Sequence, residues 1–291
     1  MIAPTAVLRR RPRRLICGDA VIGATLLIAV IAAALLSPWL PLPDALSNNL
    51  LEIFLPPGSP GAQGTHWLGT HWLGTDQLGR DLLSRILSGT RLSLLVVVLA
   101  ALIGAVIGTT LGMIAGYLGG WVDALLMRLI DIQLAIPFIL LILLVIALMG
   151  ASLTNIIVIM GCTSWAIYAR VARAKTLEIR ELEYIQAVRA MDFSTLRILF
   201  RHILPNLFTP LIVLLTLDIP RLIVLEASVG FLGMGIQPPT PTLGNLIGEG
   251  RSYMLLSQWL VLYPGLVIAA LVIGCNLLGD ALLRRTHTRL D

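Results

Sequence analysis

Polar and apolar residues alternate along this chain in long blocks rather than in short periods. Apolar runs at about Cys17–Leu36, Leu92–Tyr117, Met127–Met149, Leu153–Val171, Asn206–Leu225 and Trp259–Leu283 are each near the length that crosses a bilayer as a helix. The blocks predict six membrane spans. Gly119-Gly120-Trp121-Val122-Asp123 makes a tight turn before the third, and Pro137 kinks that span. Residues 38–75, rich in proline and glycine, read as a loop.

One polar island separates the fourth span from the fifth, from Glu178 to Asn206. Leu182, Ile185 and Val188 recur every three residues among Glu178, Arg180, Glu181, Glu183 and Arg189, which predicts an amphipathic helix. A break follows at Asp192-Phe193-Ser194. Asp192 or Ser194 caps a second short helix striped by Leu196, Leu199, Phe200 and Ile203. Pro205 stands where the next span restarts. Two short amphipathic helices projecting from a membrane protein suit docking to a separate protein. The competing reading is a connector lying on lipid headgroups.

Charge placement gives the spans a direction. Arg9, Arg10, Arg11, Arg13 and Arg14 precede the first span, seven basic residues lie from Arg170 to Arg201, and Arg284, Arg285 and Arg289 follow the last. Arg80, Arg85, Arg91 and Arg251 lie on the other side. The positive-inside rule then puts both ends and the polar island in the cytoplasm. With 57% hydrophobic and 13% charged residues and mean hydropathy +0.90, the chain is an integral membrane protein with little soluble mass. The net charge of +5 sits at membrane edges and does not suggest nucleic acid. Cys17, Cys162 and Cys275 are isolated, without metal or redox spacing, and read as buried small hydrophobes. The first apolar run is too long for a cleavable signal.

Several polar groups call for chemistry. Thr65-His66-Trp67-Leu68-Gly69 repeats at once as Thr70-His71-Trp72-Leu73-Gly74, a tandem duplication. No carboxylate or thiol joins His66 and His71 at metal-site spacing, so Trp67 and Trp72 at the membrane interface are the better reading. Gly104, Gly108, Gly112 and Gly116 mark one helix face for close packing. Arg128 and Asp131 are spaced to pair. So are Asp218 and Arg221 inside the fifth span, where an ionisable residue is either structurally paired or in contact with a transport path.

Three stretches carry a family resemblance. Glu183-Tyr184-Ile185-Gln186-Ala187-Val188-Arg189-Ala190, followed by Ile203-Leu204-Pro205, resembles the "EAA" loop of ATP-binding-cassette (ABC) importer permeases. Val188 replaces the second alanine, and Asp192 stands where a turn glycine is expected. Leu73-Gly74-Thr75-Asp76-Gln77-Leu78-Gly79-Arg80-Asp81, a turn and short helix leading into span two, resembles the C-type permeases of dipeptide, oligopeptide and nickel importers. So does the segment from Glu226 through Gln237 and Pro238 to Asn245, which leaves the membrane after span five.

The resemblance implies an all-α, six-span type I ABC importer permease. Residues 1–15 would be a cytoplasmic tail and 16–37 the first span. Residues 38–91 would be an extracytoplasmic loop with the lead-in helix, 92–283 the permease core with the coupling loop 178–206, and 284–291 a second tail. Glu183, Tyr184, Ala187, Val188, Arg189, Ala190, Asp192, Ile203, Leu204 and Pro205 would dock an ATPase. Asp76, Gly79, Arg80, Asp81, Glu226, Gln237, Pro238 and Asn245 would face an outer gate or a binding protein. Implied partners are a second related permease, two ATPases that carry ATP and Mg, an extracytoplasmic substrate-binding protein, a peptide substrate and membrane lipid. The chain has no phosphate-binding loop, so no catalytic residue, metal or cofactor is expected on it. The expected place is the cytoplasmic membrane of a prokaryote. A nickel importer is the alternative. A secondary transporter, which would show internal repeats and coupling carboxylates, and a membrane assembly factor rank lower.

Overall fold

The computed structural model describes residues 13–61 and 70–287. The first copy of the duplicated pentapeptide, with His66 and Trp67, falls outside them, as do Arg9, Arg10, Arg11, Arg289 and the side chain of Cys17. The described chain is a helical bundle: α1 (Arg13–Leu36), α2 (Leu82–Leu118), α3 (Gly120–Ala135), α4 (Phe138–Met149), α5 (Leu153–Arg180), α6 (Glu183–Ala190), α7 (Thr195–Ile198), α8 (Leu204–Phe231), α9 (Leu243–Gly250) and α10 (Trp259–His287). A two-residue antiparallel pair, β1 (Ser59–Pro60) with β2 (Thr70–His71), lies in the loop before α2.

Among the described residues five helical runs are long and apolar enough to span, and α3 with α4, bent by 88° at their break, makes a sixth when the pair is taken as one span. The sequence predicted a kink at Pro137, and the structure has a full break. Proline disfavours the helical region for the residue before it, and Ile136 accordingly adopts φ −88°, ψ 128°. The predicted short lead-in helix is not separate either. α2 runs unbroken for 37 residues from Leu82, about 55 Å against a hydrocarbon core of about 30 Å. Asp81 caps it by accepting from the Ser84 N–H, as Ser152 caps α5 and Thr242 caps α9.

α2 and α5 form the central pair. The predicted glycine face is their contact: a methyl group on Gly108 would lie 2.2 Å from the Trp165 carbonyl oxygen, and one on Gly112 2.2 Å from that of Ala169. Only glycine lets the two backbones approach this closely. At the far side α1 lies antiparallel on α10, with Gly23 against Leu277 and Gly274 against Leu27. The main apolar core joins α2, α4, α5, α8, α9 and α10.

Both ends of the bundle carry organised polar structure, here called the hinge end (α6, α7) and the cap end (residues 70–85 and α9). Turns at the hinge end are sharp. Gly119 and Gly120, between α2 and α3, take φ +66° and +56°, which side-chain-bearing residues rarely adopt. The predicted Arg128–Asp131 pair does not form on Asp131's side, whose carboxylate accepts instead from Arg170 of α5 at 2.7 Å. Arg173 similarly grips Asp123 through two nitrogens.

Candidate functional site

At the hinge end the two predicted short helices are present, but their faces differ from the expected stripes. Ile185 and Val188 of α6 are buried with Ile198, Leu199, Ile203 and Leu207 against Met113, Ala172 and Ile179 of the central pair. Leu182, expected on that buried stripe, is exposed, and so are Leu196 (67%) and Phe200. Leu182 is exposed because it is the extended cap residue before α6 and not part of the helix; in the second helix a π turn over Leu199–Ile203 widens the helix and places Ile198 and Ile203 on one inward face. α7, this turn and α8 form one continuous helical run, Thr195–Phe231, so the fifth span begins well before Asn206.

Among the expected docking residues, Glu183, Tyr184, Ala187, Arg189, Ala190, Asp192 and Pro205 lie on the surface. Leu204 is half-buried. Val188 and Ile203 are buried and hold the helix pair to its own bundle. Asp192 adopts φ +58°, the left-handed turn conformation expected there. Ser194, not Asp192, occupies the cap position of α7. The pair is fixed to the spans by Tyr184 Oη accepting from Asn206 Nδ2 (3.2 Å), by Arg180 donating to the Gly116 carbonyl (2.9 Å) and by Arg189 over the Tyr117 ring. Exposed on the pair are Leu182, Tyr184, Met191, Phe193, Leu196 and Phe200, with Ala187 and the charged Glu183, Arg189, Arg197 and Arg201.

The cap end is held by a buried ion network. Asp76 Oδ1 accepts from the backbone N–H of Leu78 (2.8 Å) and of Arg80 (3.0 Å). Its Oδ2 accepts from Arg80 Nε (2.7 Å) and Arg85 Nη1 (2.5 Å). Glu249 of α9 closes the network, accepting from Gln77, Arg80 and Arg85. Gly79 permits it: at φ +70°, a methyl group there would fall 1.7 Å from the Asn49 carbonyl oxygen. Asp81, besides capping α2, meets His71 Nδ1 at 2.9 Å, and His71 Nε2 meets Glu52 at 3.2 Å. His71 thus has two carboxylate partners that sequence spacing did not show. Among the described residues, no group of three such side chains is arranged to hold a metal ion. The second tryptophan of the duplication, Trp72, is exposed, as an interfacial residue would be.

Of the eight residues expected at an outer gate, only Gln237 and Pro238 are exposed in this chain. Asp76, Gly79, Arg80, Asp81, Glu226 and Asn245 are buried and build the cap rather than face outward. Glu226 lies within α8, not in a segment leaving the membrane, against the hydroxyls of Ser93 and Thr242. Asn245 donates to the Ile236 carbonyl. Sequence reading missed Glu249, Glu52 and the structural role of Arg85. A signal existed: buried arginines among apolar residues require acids, and Glu249 is the lone carboxylate of α9.

Between the two ends lies the predicted intramembrane pair. Arg221 Nε donates to Asp218 Oδ1 at 2.7 Å, and Tyr168 Oη of α5 donates to Asp218 Oδ2 at 3.1 Å. The guanidinium stacks 4.7 Å from the Phe138 ring centroid, at the start of α4 just past the helix break.

These features define a multi-pass α-helical membrane protein with a projecting helix pair at one end and a stapled polar cap at the other. Comparison with known proteins sharpens that class. Residues 108–291 match the family described as the binding-protein-dependent transport system inner membrane component. The dipeptide transport system permease protein DppC of Haemophilus influenzae is 39% identical over 267 residues, covering 90% of this chain and 88% of that protein. The glutathione transport system permease protein GsiD of Pectobacterium atrosepticum is 44% identical over 197 residues, 68% of this chain and 65% of that one. Among solved structures, the inward-facing methionine ABC transporter MetNI matches with TM-score 0.52 at 23% identity, covering 68% of this chain and 94% of the other. The chain belongs to the binding-protein-dependent inner membrane component family, and its fold is that of a type I ABC importer permease.

Proposed function

We propose that this chain is the transmembrane permease subunit of an ABC importer that takes up short peptides, working with a second related permease, two ATPase subunits and an extracytoplasmic binding protein. The observation that carries the reading is the hinge: a projecting helix pair that holds to the bundle through Ile185, Val188, Ile198 and Ile203 while the large apolar side chains of Tyr184, Met191, Phe193 and Leu196 stay exposed. Such a surface needs a partner. The basic residues from Arg170 to Arg201 orient that end toward the cytoplasm, where the ATPases work, and the same rule places both termini there. Curated relatives named for dipeptide and glutathione transport support the peptide assignment.

ATP and Mg belong to the ATPase subunits on this reading, and the present chain holds no cofactor. Closure of the ATPases pushes the projecting pair. The push reaches the spans through Tyr184–Asn206, Arg180–Gly116 and the continuous run into α8. The spans then switch between inward- and outward-facing arrangements, a two-state element biased from both sides.

The test is the reconstituted importer. It accumulates short peptides in an ATP-dependent manner, and Ala187→Arg abolishes coupling, because a charge buried unpaired in the docking contact costs several kcal/mol. Full transport by Ala187→Arg refutes the docking assignment. Hydrolysis stimulated by nickel, with no response to any peptide, moves the substrate to nickel.

A further inference from the structure

Between the end of α1 and the first turns of α2 lies a cavity of about 220 Å³. Ser37 and Leu40, just past α1, line it on one side, Ser88 and Arg91 of α2 on another, and Asp44 of the connecting loop on a third. Its two charged residues are of opposite sign and do not pair with each other. Arg91 is exposed and has no hydrogen-bond or ion-pair partner among the described residues. Asp44 is exposed too; its Oδ1 accepts from the Leu46 N–H at 3.0 Å, and its Oδ2 has no partner among them. One cavity thus has an uncommitted guanidinium and an uncommitted carboxylate oxygen among its walls. A molecule that carries both a phosphate and an amine matches that pair, since arginine binds phosphate through parallel N–H donors and a carboxylate accepts from an ammonium.

The cavity sits where the first span leaves the hydrocarbon. That apolar run ends at Trp39, which is 78% exposed, and tryptophan collects at the membrane interface. Ser84, Ser88, Arg91, Leu95, Val98 and Leu102 follow one another at spacings of four and three, a single row along α2. The row changes character at Arg91. The two serines before it line the cavity, and Leu95, Val98 and Leu102 after it are all exposed. From Arg91 to Leu102 is eleven residues, about 17 Å, close to one leaflet's half of a hydrocarbon core of about 30 Å. A soluble phosphate would use the cavity alone. A phospholipid uses the cavity for its headgroup and the apolar row for its acyl chain.

We infer that this cavity is a phospholipid site, with Arg91 on the phosphate, Asp44 on a primary-amine headgroup and the row Leu95, Val98, Leu102 along an acyl chain. The lipid bridges the end of α1 to α2 at the cap end, where α1 otherwise rests on α10. The site belongs to the membrane-spanning chain itself and holds whatever substrate that chain carries.

The experiment equilibrates the full-length chain, in detergent micelles, with equal amounts of dioleoyl phosphatidylethanolamine, phosphatidylcholine and phosphatidylglycerol, and reads the retained lipid by native mass spectrometry. The wild-type chain is expected to retain phosphatidylethanolamine over the other two. Arg91→Gln lowers its retention about tenfold, the range of a charge-assisted hydrogen bond. Asp44→Asn keeps the contact with Leu46 through its side-chain carbonyl and brings phosphatidylethanolamine down to the level of phosphatidylglycerol. Both positions are exposed, so the apparent Tm in lipid-free micelles stays at the wild-type value and separates lost binding from lost folding. Unchanged retention in Arg91→Gln, or a preference for the amine headgroup that survives Asp44→Asn, overturns the inference. Soluble glycerophosphoethanolamine is expected not to displace the lipid at equal concentration. Complete displacement makes the cavity a site for a soluble phosphate and overturns the lipid assignment. The same lipid is expected on the assembled importer; its absence there gives the apolar row to the second permease and overturns the inference as well.

Discussion

Asp76→Asn is the sharpest perturbation of the cap. The substitution keeps the shape and removes one charge. In the native cap two guanidinium groups, Arg80 and Arg85, share two carboxylates, Asp76 and Glu249. Side-chain exposure is 1% for Asp76 and 2% for Arg85, but 20% for Glu249. Without Asp76, two buried cations lean on one partly wet carboxylate, and Arg85 Nε already lacks a partner. Breaking a buried pair in this way costs about 3–5 kcal/mol. At roughly 2–4 °C per kcal/mol, the apparent Tm falls by about 6–20 °C. Glu249→Gln costs less, because its carboxylate is more solvated and Asp76 remains. Tryptophan fluorescence during heating of the detergent-solubilised protein reads both, and a double variant adds an internal check. Asp76→Asn with Arg85→Met leaves one cation for one carboxylate and recovers more than half of the loss, a coupling that non-interacting sites would not show. An apparent Tm for Asp76→Asn within about 1 °C of wild type, or a larger loss for Glu249→Gln, refutes the account.

Three further outcomes follow from the geometry. Gly112→Val drives a branched side chain into the Ala169 carbonyl, where even a methyl group would sit 2.2 Å away, and is expected to abolish folded protein as judged by gel filtration after expression. Asp192→Gly relieves a left-handed residue at φ +58° and is expected to leave transport intact while lowering proteolytic nicking of the hinge, the gain being of order 1 kcal/mol at most. In a background lacking the native thiols, a cysteine replacing Ser252 is expected to react with an impermeant reagent from outside intact cells, and one replacing Thr195 only after the membrane is opened; external labelling of the latter would reverse the orientation.

The spans were legible because hydropathy is a local sum, and α1 and α10 end close to where their apolar runs end, while α5 runs nine residues past Val171 to Arg180. The glycine face of α2 and the Asp218–Arg221 pair were legible for the same reason, since both lie within one helix and follow its period. The turn at Asp192 could be anticipated from the residue type a left-handed position tolerates. What stayed hidden depends on contacts across the chain. Glu249 is separated from Arg85 by 164 positions, and His71 finds Glu52 and Asp81 only once the loop has folded over α2. For the same reason the burial of Asp76, Arg80 and Asp81 in the polar contacts of the cap was not visible in the sequence. A polar residue in a loop reads as solvated until its partners are known. The hinge faces were misread because a strict helical period was applied across Leu199–Ile203, where the period changes.

The wide turn at Leu199–Ile203 also sets a direction. A residue advances an α-helix by about 100°, so one residue accommodated as a π turn dials everything before it around the axis of α8 by a comparable angle. The azimuth at which α6 and α7 leave the bundle is therefore governed separately from the surface they present. Deleting one residue from 199–203 would shorten the Thr195–Phe231 run by a single residue, yet aim the helix pair at a different quadrant around the axis of α8. The surface that the helix pair presents and the direction in which it projects are, in this fold, written in different residues.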